Sequence, residues 1–380
     1  MTNVVILRSN AVDPDPRVEK IARWLSEAGY GVTVLCWDRE RKSEKREKRE
    51  GFAVLRSRIP GKYGGGLRNA FSLFLFNAWL LFNLMWRNYN LVHACDFDTV
   101  IPAFIAAKIR RKKVVFDIFD LYSEAHLEGA PAVIRKIVRS LEVFFINRTD
   151  AVVIADELRK EQLKGSKPRV LVVIYNVPDI EPNLYDLTIN TGPREKLKIG
   201  YVGILQNGRM LEELLRVVSE SQDLELLIAG FGKLERKVLE ASKAFDNIRF
   251  FGRVNYNDAL SIYKQCDVIF AVYDPSVPNH KYSSPNKVFE AMALGKPVIV
   301  AENTGIDQLV RSANLGFVVR YGDVEQLRET FNRIKRMTDY EVKSLCERAI
   351  KLFEAKYSPQ SMKHTLLSLY SKLTKKGHYW

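Results

Sequence analysis

The sequence predicts an α/β protein built from two doubly wound domains, each with a parallel sheet. The chain has 380 residues, of which 47% are hydrophobic, so it is long enough to bury two cores. Short apolar runs alternate with helical segments from the first residues onward, and after a polar stretch the alternation starts again. We therefore expect a first domain at 1–178, a linker at 179–196 and a second domain at 197–357, with a final helix at about 358–380 that packs back on the first domain.

Six apolar runs predict the strands of the first domain: Val4–Leu7, Val32–Cys36, Leu91–Ala94, Lys113–Asp117, Ala151–Ile154 and Val170–Tyr175. Ligands of such sheets bind at the carboxyl ends of the strands. Asn10 and Arg17 follow the first strand, and Asp117 and Asp120 end or follow the fourth. They are candidates for contact with a substrate, although Arg17 could equally begin an exposed helix and the aspartates could cap one. No Gly-x-Gly-x-x-Gly motif follows the first strand, which argues against a nicotinamide dinucleotide site.

Two further segments of the first domain have unusual compositions. Arg39–Glu50 holds seven basic and four acidic residues, which predicts a solvated loop, or alternatively a contact with anionic lipid. Leu67–Tyr89 is rich in aromatic and aliphatic residues, but asparagines keep its apolar runs shorter than a membrane span requires. It is expected to be a helix that either packs on its own sheet or lies at a membrane surface.

Charge and cysteine content narrow the class of protein. A net charge of +14 favours an acidic partner, but no zinc-ligand spacing, RNA-binding aromatic motif or helix-turn-helix pattern predicts a nucleic-acid binder. Cys36, Cys95, Cys266 and Cys346 lack metal or disulfide spacing. Together with an N-terminus that lacks the features of a signal peptide, this predicts reduced thiols in a cytoplasmic protein.

The strands predicted in the second domain end in glycines or loops on one sheet edge. The runs are Leu197–Gly203, Leu224–Ala229, Ile248–Val254, Val268–Ala271 and Pro297–Ala301. Gly203, Gly230, Gly232 and Gly252 would let a planar base and a diphosphate approach the backbone, and Arg209 lies close behind the first of them.

The stretch Tyr282–Val300 reads as a loop, a short helix and a buried strand. Ser284 suits the N-cap of the helix and Pro285 its first position. The first-turn amides near Asn286 and Val288, together with Lys287, would attract a phosphate, and Glu290 lies one turn further on the same face. This pattern suits a nucleoside diphosphate and its ribose, although an ordinary helix with a solvent-facing Lys–Glu pair would have the same sequence.

These motifs together resemble the GT-B glycosyltransferases of retaining family 4, over nearly the whole chain. The resemblance rests on Asp15–Lys20, Val92–Ala94, Asn176–Pro178, Gly203 with Arg209, Gly230–Gly232, Phe251–Val254 and Ser284–Val298. It implies two Rossmann-like domains that face each other across a cleft. The second would bind a nucleotide-sugar donor and the first an acceptor.

The resemblance also implies roles for individual residues. Arg209, Lys287 and Asp120 would act in catalysis, the first two on the leaving phosphate. The donor would contact Gly203, Gly230, Gly232, Gly252, Arg253, Val254, Ser284, Pro285, Asn286, Val288 and Glu290. The acceptor would contact Asn10, Arg17, His93 and Asp117. Three positions depart from the family pattern: Tyr282 replaces an acidic residue, Ile204 a basic one and Phe119 a histidine.

The activity implied is transfer of a sugar, with retention and without a metal or other cofactor, from a nucleoside diphosphate to an acceptor hydroxyl. A lipid-linked or membrane-surface glycan is the acceptor we expect, with peripheral contact to anionic lipid at the inner face of the membrane. Two other readings are an epimerase of nucleotide-sugars with a GT-B-like fold, and a non-catalytic, membrane-associated protein that binds nucleotide-sugars.

Overall fold

A computed structural model describes residues 1–61, 69–125, 127, 130–179, 195–282 and 285–374. Its internal contacts divide the chain into two units, one formed by residues 1–176 with the chain from Met362 and the other by 177–361. The predicted donor ligand Ser284 and most of the predicted linker at 179–196 lie outside the described residues.

The first unit is organised by one large sheet. Its described strands are β1 (Asn3–Arg8), β2 (Gly31–Trp37), β3 (Arg46–Arg49), β4 (Phe52–Ser57), β5 (Leu91–Cys95), β6 (Lys113–Ile118), β7 (Ala151–Ile154) and β8 (Leu171–Val173). Their order is β3-β4-β2-β1-β5-β6-β7-β8, and all neighbours are parallel except β3 and β4. The direction of winding therefore reverses between β1 and β5, which is where doubly wound sheets bind ligands.

The prediction of a solvated loop over Arg39–Glu50 is wrong for Arg46–Arg49, which form the edge strand β3. Arg49 pairs with Glu47 and Glu19, and the buried Arg56 of β4 donates to Glu47 over 2.6 Å. Because neighbouring carboxylates neutralise these guanidinium groups, a highly charged segment can join the edge of a sheet.

The helices of the first unit cover both faces of its sheet. They are α1 (Pro16–Glu27), α2 (Ala70–Trp86), α3 (Phe97–Arg110), the short α4 (Tyr122–Ala125) and α5 (Ala132–Arg148), followed by a 3₁₀ turn at Glu157–Leu163. Within the hydrophobic stretch noted in the sequence, Ala70–Trp86 forms α2, which buries Phe76, Leu80 and Leu84 in the core, while residues 67 and 68 lie outside the described residues. Among the described residues, no helix combines the length and the hydropathy needed to cross a bilayer.

The second unit has a six-stranded, all-parallel sheet within the described residues. Its strands are β9 (Leu197–Val202), β10 (Leu224–Ala229), β11 (Ile248–Phe250), β12 (Val268–Phe270), β13 (Val298–Ala301) and β14 (Gly316–Val319). They are arranged in the order β11-β10-β9-β12-β13-β14, so the winding reverses between β9 and β12. The predicted fold class of two parallel-sheet α/β domains is confirmed.

Helices flank this second sheet and then lead back to the first unit. They are α6 (Leu211–Ser219), α7 (Glu235–Ala244), α8 (Tyr256–Gln265), α9 (Asn286–Ala293), α10 (Ile306–Ser312), α11 (Val324–Lys335), α12 (Asp339–Leu352) and α13 (Pro359–Thr374). The helix of the key stretch begins one residue later than expected, because Pro285 has the extended backbone of an N-cap (φ −65°, ψ 125°). Strand β11 ends at Phe250 instead of Val254, since Gly252 adopts a left-handed conformation (φ +65°).

Candidate functional site

Three glycine loops meet at the carboxyl ends of β9, β10 and β11. The amide of Gly203 donates to Ala229 over 3.0 Å, and that of Gly230 donates to Gly252 over 2.7 Å. A β-carbon at Gly230 would lie 1.8 Å from the carbonyl oxygen of Gly203, and one at Gly232 2.4 Å from that of Leu205. The missing side chains at 230 and 232 therefore let loop backbones approach one another, whereas the space beside Gly252 is open.

Lys287 lies at the point where the winding of the second sheet reverses. It occupies the first turn of α9 and has only 8% of its surface exposed. Its ammonium is so close to the backbone after β9 that a β-carbon at Gly203 would be 2.8 Å from Nζ. The same nitrogen lies 3.4 Å from the hydroxyl of Tyr273, which follows β12. The loops after both strands of the reversal thus surround this cation.

Arg209 contacts the same tyrosine. Its guanidinium carbon lies 3.8 Å from the centre of the Tyr273 ring, a cation–π contact. Its Nη1 lies 3.0 Å from Nε2 of His280, whose Nδ1 is 2.8 Å from the carbonyl of Asp274. This geometry requires the tautomer in which Nδ1–H donates to the carbonyl and Nε2 accepts from Arg209.

The described groups that hydrogen-bond to these two cations carry no negative charge. In the described chain their hydrogen-bond partners are a carbonyl, an imidazole and a phenol. Burial tends to lower the pKa of Lys287, but nearby Tyr273, Tyr201 and Glu290 hold that pKa above its ordinary value. The ammonium is therefore charged at neutral pH. Two partly or fully buried cations, Lys287 and Arg209, thus lie beside the carboxyl ends of β9 and β12, where the winding of the sheet reverses. Such a site suits an anion with several oxygens.

Glu290 lies one turn after Lys287 on α9 and is 8% exposed. The hydroxyl of Tyr256 hydrogen-bonds to Glu290. The pKa of Tyr256 lies above its ordinary value, chiefly because of burial and secondly because the carboxylate of Glu290 is close. The same two causes raise the pKa of the buried Tyr263. Tyr256 therefore holds the carboxylate of Glu290 in place, whereas the hydroxyl of Tyr263 donates to the carbonyl of Val202 over 3.1 Å.

The other residues predicted to bind a donor occupy varied environments. Pro285 and Val288 are buried, Asn286 is exposed, and the amide of Val288 already donates to the carbonyl of Pro285 over 3.0 Å. Arg253 is exposed, with its guanidinium 4.6 Å from the ring centre of Phe231, and Val254 is half-buried. Of the two departures in this unit, Ile204 is half exposed and Tyr282 stacks under Lys281.

A second polar cluster occupies the reversal point of the first sheet, between β1 and β5. Arg8 ends β1 and forms ion pairs with Asp96, which follows β5, and with Asp15 at the N-cap of α1. Phe119 lies against two guanidinium groups, those of Arg8 and Arg17, at 4.2 and 4.8 Å. The departure from histidine at 119 therefore provides an aromatic face for two arginines.

Asp96 is the most perturbed carboxyl group of this cluster. Burial raises its pKa to about 6 although Arg8 acts in the opposite direction. Its backbone has a positive φ of 65°, which is unusual for a residue other than glycine. A strained, buried carboxyl at a strand end is a common feature of functional sites.

Arg17, His93 and Asp117 bind one another in the interior of the first unit. Arg17 donates to Asp117 over 2.8 Å and to the carbonyl of Ile174 over 2.7 Å. His93 lies 3.2 Å from Asp117 and 2.7 Å from the hydroxyl of Tyr370 on α13. Burial would raise the pKa of Asp117, but Arg17 and His93 outweigh it and hold that pKa below its ordinary value.

This arrangement places the three predicted acceptor contacts in the core instead of on a surface. His93 and Asp117 have no exposed surface and Arg17 has 5%. Asn10, the fourth, is half-buried and donates to Asp15 over 2.8 Å. Asp120 is the more accessible of the predicted carboxylates and pairs with Arg159 over 2.6 Å.

His93, Cys95 and Asp117 also lie close enough together to be considered as metal ligands. Asp117 already binds Arg17, and both ring nitrogens of His93 are hydrogen-bonded. Burial raises the pKa of the Cys95 thiol well above its ordinary value, which disfavours the thiolate that a metal binds. These residues fit a structural hydrogen-bonded cluster better than a metal centre.

Several residues of both sites were not singled out from the sequence. In the second unit they are Tyr201, Tyr256, Tyr273 and His280, and in the first unit Arg8 and Asp96. Arg8 and Tyr273 do stand at or just past the ends of apolar runs, a signal that could have identified them. Their partners could not be read in this way, because Arg8 and Asp96 are 88 positions apart in the chain.

Sequence comparison places both units in known families. The family described as "Glycosyl transferases group 1" matches residues 196–336, and the "Glycosyl transferase 4-like domain" matches residues 14–176. The capsular polysaccharide biosynthesis glycosyltransferase CapM of Staphylococcus aureus is 27% identical over 188 residues, 47% of each chain. A phosphatidyl-myo-inositol mannosyltransferase of Mycobacterium leprae is 27% identical over 127 residues, 33% of each chain. The chain thus matches half or less of the length of these relatives.

Solved structures with the same fold cover the chain almost completely. Sucrose-phosphate synthase from Thermosynechococcus elongatus superimposes with a TM-score of 0.75 and 16% identity, over 98% of this chain and 99% of that one. HepE from Anabaena, solved in complex with UDP, gives a TM-score of 0.71 and 15% identity over 98% and 100%. With two family matches that span most of its length and this fold, the chain belongs to the group 1 glycosyltransferases of GT-B, family 4-like type.

Proposed function

We propose that this protein transfers a sugar, with retention of configuration, from a nucleoside-diphosphate sugar to the hydroxyl of a glycan or lipid-linked acceptor. One observation carries the proposal. Arg209 and Lys287 converge on Tyr273 at the reversal point of the second sheet, and their hydrogen-bond partners in the described chain are uncharged. The single carboxylate of Glu290 nearby cannot balance two cations, and a bound diphosphate would supply the remaining negative charge.

The two cations would act chiefly on the leaving group. As the bond between the anomeric carbon and the phosphate oxygen breaks, negative charge grows on the diphosphate. Fixed cations, of which Lys287 lies at the N-terminus of α9, would stabilise that charge more in the transition state than in the bound donor and so accelerate the reaction. We propose that these side chains meet the charge without a metal ion.

Glu290 would accept hydrogen bonds from the hydroxyls of the donor ribose. It lies one helical turn from Lys287, and Tyr256 orients its carboxylate. The open side of Gly252 offers room for the base, since nothing lies within 4 Å of where its β-carbon would be. The donor would then run from the base near Gly252 to the diphosphate beside Lys287.

Retention would follow from attack on the same face that the phosphate leaves. The acceptor oxygen bonds to the anomeric carbon while the phosphate oxygen departs and takes the acceptor proton. No side-chain nucleophile is needed for this course. Asp120, the accessible carboxylate paired with Arg159, would orient the acceptor hydroxyl.

The acceptor class is supported by the relatives. CapM is named for capsular polysaccharide biosynthesis, and the mycobacterial relative for transfer to phosphatidyl-myo-inositol. HepE was solved with UDP, which supports a nucleoside diphosphate as the donor's leaving group. We propose that the acceptor is presented at the cytoplasmic face of a membrane, with which the protein makes peripheral contact.

Calorimetric titration with UDP, GDP, ADP and their common sugars tests the donor site. We expect the protein to prefer the nucleotides of one base. Lys287→Gln should lower the affinity for the nucleoside diphosphate of that base by about tenfold or more, which is the effect of losing one charge-assisted hydrogen bond. Lys281→Gln, an exposed lysine nearby, is the matched control and should bind as the unaltered protein does. Absence of binding to every nucleotide would overturn the proposal.

The reaction itself is tested by NMR of the product. A retained anomeric configuration in an acceptor-dependent product supports the proposal. Conversion of the donor without any acceptor would instead identify an epimerase, and an inverted product would remove the retaining mechanism while leaving the donor site intact.

A further inference from the structure

Three helices of the first unit share one core but leave apolar side chains in solvent. α2 packs against α3, and α3 packs against α5. Phe76 and Leu80 of α2, Ala103 of α3 and Phe145 of α5 belong to the same buried cluster. The outer sides of these helices are therefore neighbouring parts of one surface, which we call the three-helix face.

The three-helix face is strongly hydrophobic. Phe71, Phe82 and Trp86 are exposed to 71%, 65% and 78%. The further exposed apolar side chains are Phe74 and Leu75 on α2, Ile105 and Ile109 on α3, and Val133, Ile137, Leu141 and Phe144 on α5. A patch of this kind on a water-exposed surface indicates an interaction site.

The exposed residues follow helical spacing and connect from one helix to the next. On α5, Val133, Ile137, Leu141 and Phe144 are separated by three or four positions and so form one stripe. The ring of Phe144 meets that of Phe104 on α3 edge-on, with centroids 5.9 Å apart. The apolar surface is thus continuous between α3 and α5.

The charge of the same face has one sign. The three helices contain six basic residues, Lys108, Arg110, Arg135, Lys136, Arg139 and Arg148, and two acidic ones. Glu142 is buried, where it accepts from Tyr122 and Ser123, and Asp98 is only half exposed. The exposed charge that accompanies the apolar stripe is therefore cationic.

Some of these cations lie beside aromatic rings of the face. The guanidinium of Arg148 is 5.6 Å from the ring centre of Phe144, and the ammonium of Lys108 is 5.3 Å from that of Phe104. Long basic side chains beside apolar ones suit the boundary between lipid headgroups and acyl chains.

We propose that the three-helix face docks the protein on an anionic lipid bilayer. The apolar side chains of α2, α3 and α5 enter the boundary between headgroups and acyl chains, and the basic residues of α3 and α5 contact the phosphates. The inference rests on, and gives residues to, the peripheral membrane contact proposed above. The inference assigns the electrostatic attraction to lipid to the basic residues of α3 and α5, two helices that were not singled out from the sequence.

The basic segment at 39–50 is the rival source of electrostatic attraction. Part of its charge is paired within the first unit, as Arg49 pairs with Glu47 and Glu19, and Lys42 pairs with Glu40. Charges that are already paired contribute less to an external field than the cations of α5 do.

Sedimentation with vesicles tests the proposal on the full-length protein. Vesicles of phosphatidylcholine that contain roughly 30 to 40 mol% phosphatidylglycerol are compared with vesicles of pure phosphatidylcholine, at low and at high salt. We expect binding to the anionic vesicles, and a loss of about fivefold for each cation removed in Arg135→Gln/Lys136→Gln. The matched control Arg236→Gln/Lys237→Gln removes two consecutive basic residues from α7 in the second unit and should leave vesicle binding unchanged.

The apolar contribution is tested on each helix separately. Phe74→Glu, Ile109→Glu and Ile137→Glu alter exposed positions, so they should leave the circular dichroism spectrum unchanged but weaken vesicle binding by tenfold or more. Leu239→Glu, also an exposed apolar residue on a helix, is the control. Nucleotide affinity should be unaffected in all of these variants, so a failure of membrane docking is distinguishable from a failure of the donor site.

Three results would overturn the proposal. Equal binding of the α5 variants and the control would do so, as would loss of binding on Lys45→Gln/Lys48→Gln alone. The third is a dimer in lipid-free solution that the apolar substitutions convert to a monomer without changing vesicle binding, since the face would then be an interface between two copies.

Discussion

Lys287 places its ammonium against Gly203 so closely that even one added carbon would contact it. A β-carbon at Gly203 would lie 2.8 Å from Nζ and 3.2 Å from Cε. The glycine after β9 therefore makes room for a cation of the chain itself, beside which we propose that a diphosphate binds.

Gly203→Ala should consequently displace Lys287 and weaken binding of the nucleoside diphosphate nearly as much as Lys287→Gln does, by about tenfold. Calorimetry measures the effect. The control is Gly322→Ala, which also has a positive φ but has nothing within 4 Å of the new carbon. If Gly203→Ala binds as the unaltered protein does, Lys287 is not the group that meets the diphosphate.

Gly230→Ala should destabilise the second unit much more than it alters any ligand contact. The added carbon would lie 1.8 Å from the backbone oxygen of Gly203, which cannot move as a side chain can. We expect a loss of about 3 kcal/mol or more, against about 1 kcal/mol for Gly322→Ala. Urea unfolding followed by circular dichroism measures both, and equal losses would contradict the packing argument.

Asp117→Asn should strongly destabilise the first unit. It leaves the guanidinium of Arg17, which is 5% exposed, without its counter-charge. Removing one partner of a buried pair typically costs about 3–5 kcal/mol, and Arg17→Met/Asp117→Leu should lose less than the sum of the single changes. Arg236→Gln, which breaks an exposed pair with Glu240, serves as the control and should cost under about 0.5 kcal/mol.

Asp96 should make stability depend on pH in mildly acidic solution. Because its pKa rises from 3.8 to about 6 on folding, the folded protein binds the proton more tightly than the unfolded chain. This contribution is complete below pH 3.8 and is lost as the pH rises through about 6. Asp96→Asn removes it.

The measurement is the difference in unfolding free energy between Asp96→Asn and the unaltered protein, taken from pH 4 to 7. That difference should shift in favour of the variant as the pH rises, on the order of 1.4 kcal/mol for each unit of pKa change. A constant difference across this range would show that Asp96 is ionised throughout.

Glu290→Gln should weaken binding of the ribonucleoside diphosphate but should not weaken binding of its 2′,3′-dideoxy analogue. The carboxylate accepts hydrogen bonds from ribose hydroxyls better than the amide does, and the analogue lacks those hydroxyls. We expect a difference of about tenfold between the two ligands in the unaltered protein, and little difference in the variant. Equal losses for both ligands would place Glu290 away from the ribose.

Buried strands were the features most readily predicted. Ala151–Ile154 and Leu224–Ala229 agree residue for residue with the structure. A strand covered on both faces is a continuous apolar run, and loops or glycines mark its ends. By contrast, β3 was missed because an edge strand whose charges are paired by neighbours reads as a solvated segment.

The candidate site was predicted in part. Lys287, Glu290 and Arg209 could be named because they stand in recognisable motifs near strand ends, and their roles stay predictions. The sequence could not show that Tyr273 contacts both Arg209 and Lys287, or that Asp117 forms an ion pair with Arg17. Such contacts join residues that are far apart in the chain.

The amino-acid sequence by itself determined the two parallel-sheet domains, the family and the helix that carries Lys287 and Glu290, since these follow from local periodicity and short motifs. Only the tertiary structure decided which charges are available to a ligand. Strand order brings β1 beside β5 and β9 beside β12. In the first unit Arg8 and Arg17 thereby form ion pairs with carboxylates, whereas in the described part of the second unit Arg209 and Lys287 contact Tyr273 and form no direct ion pair.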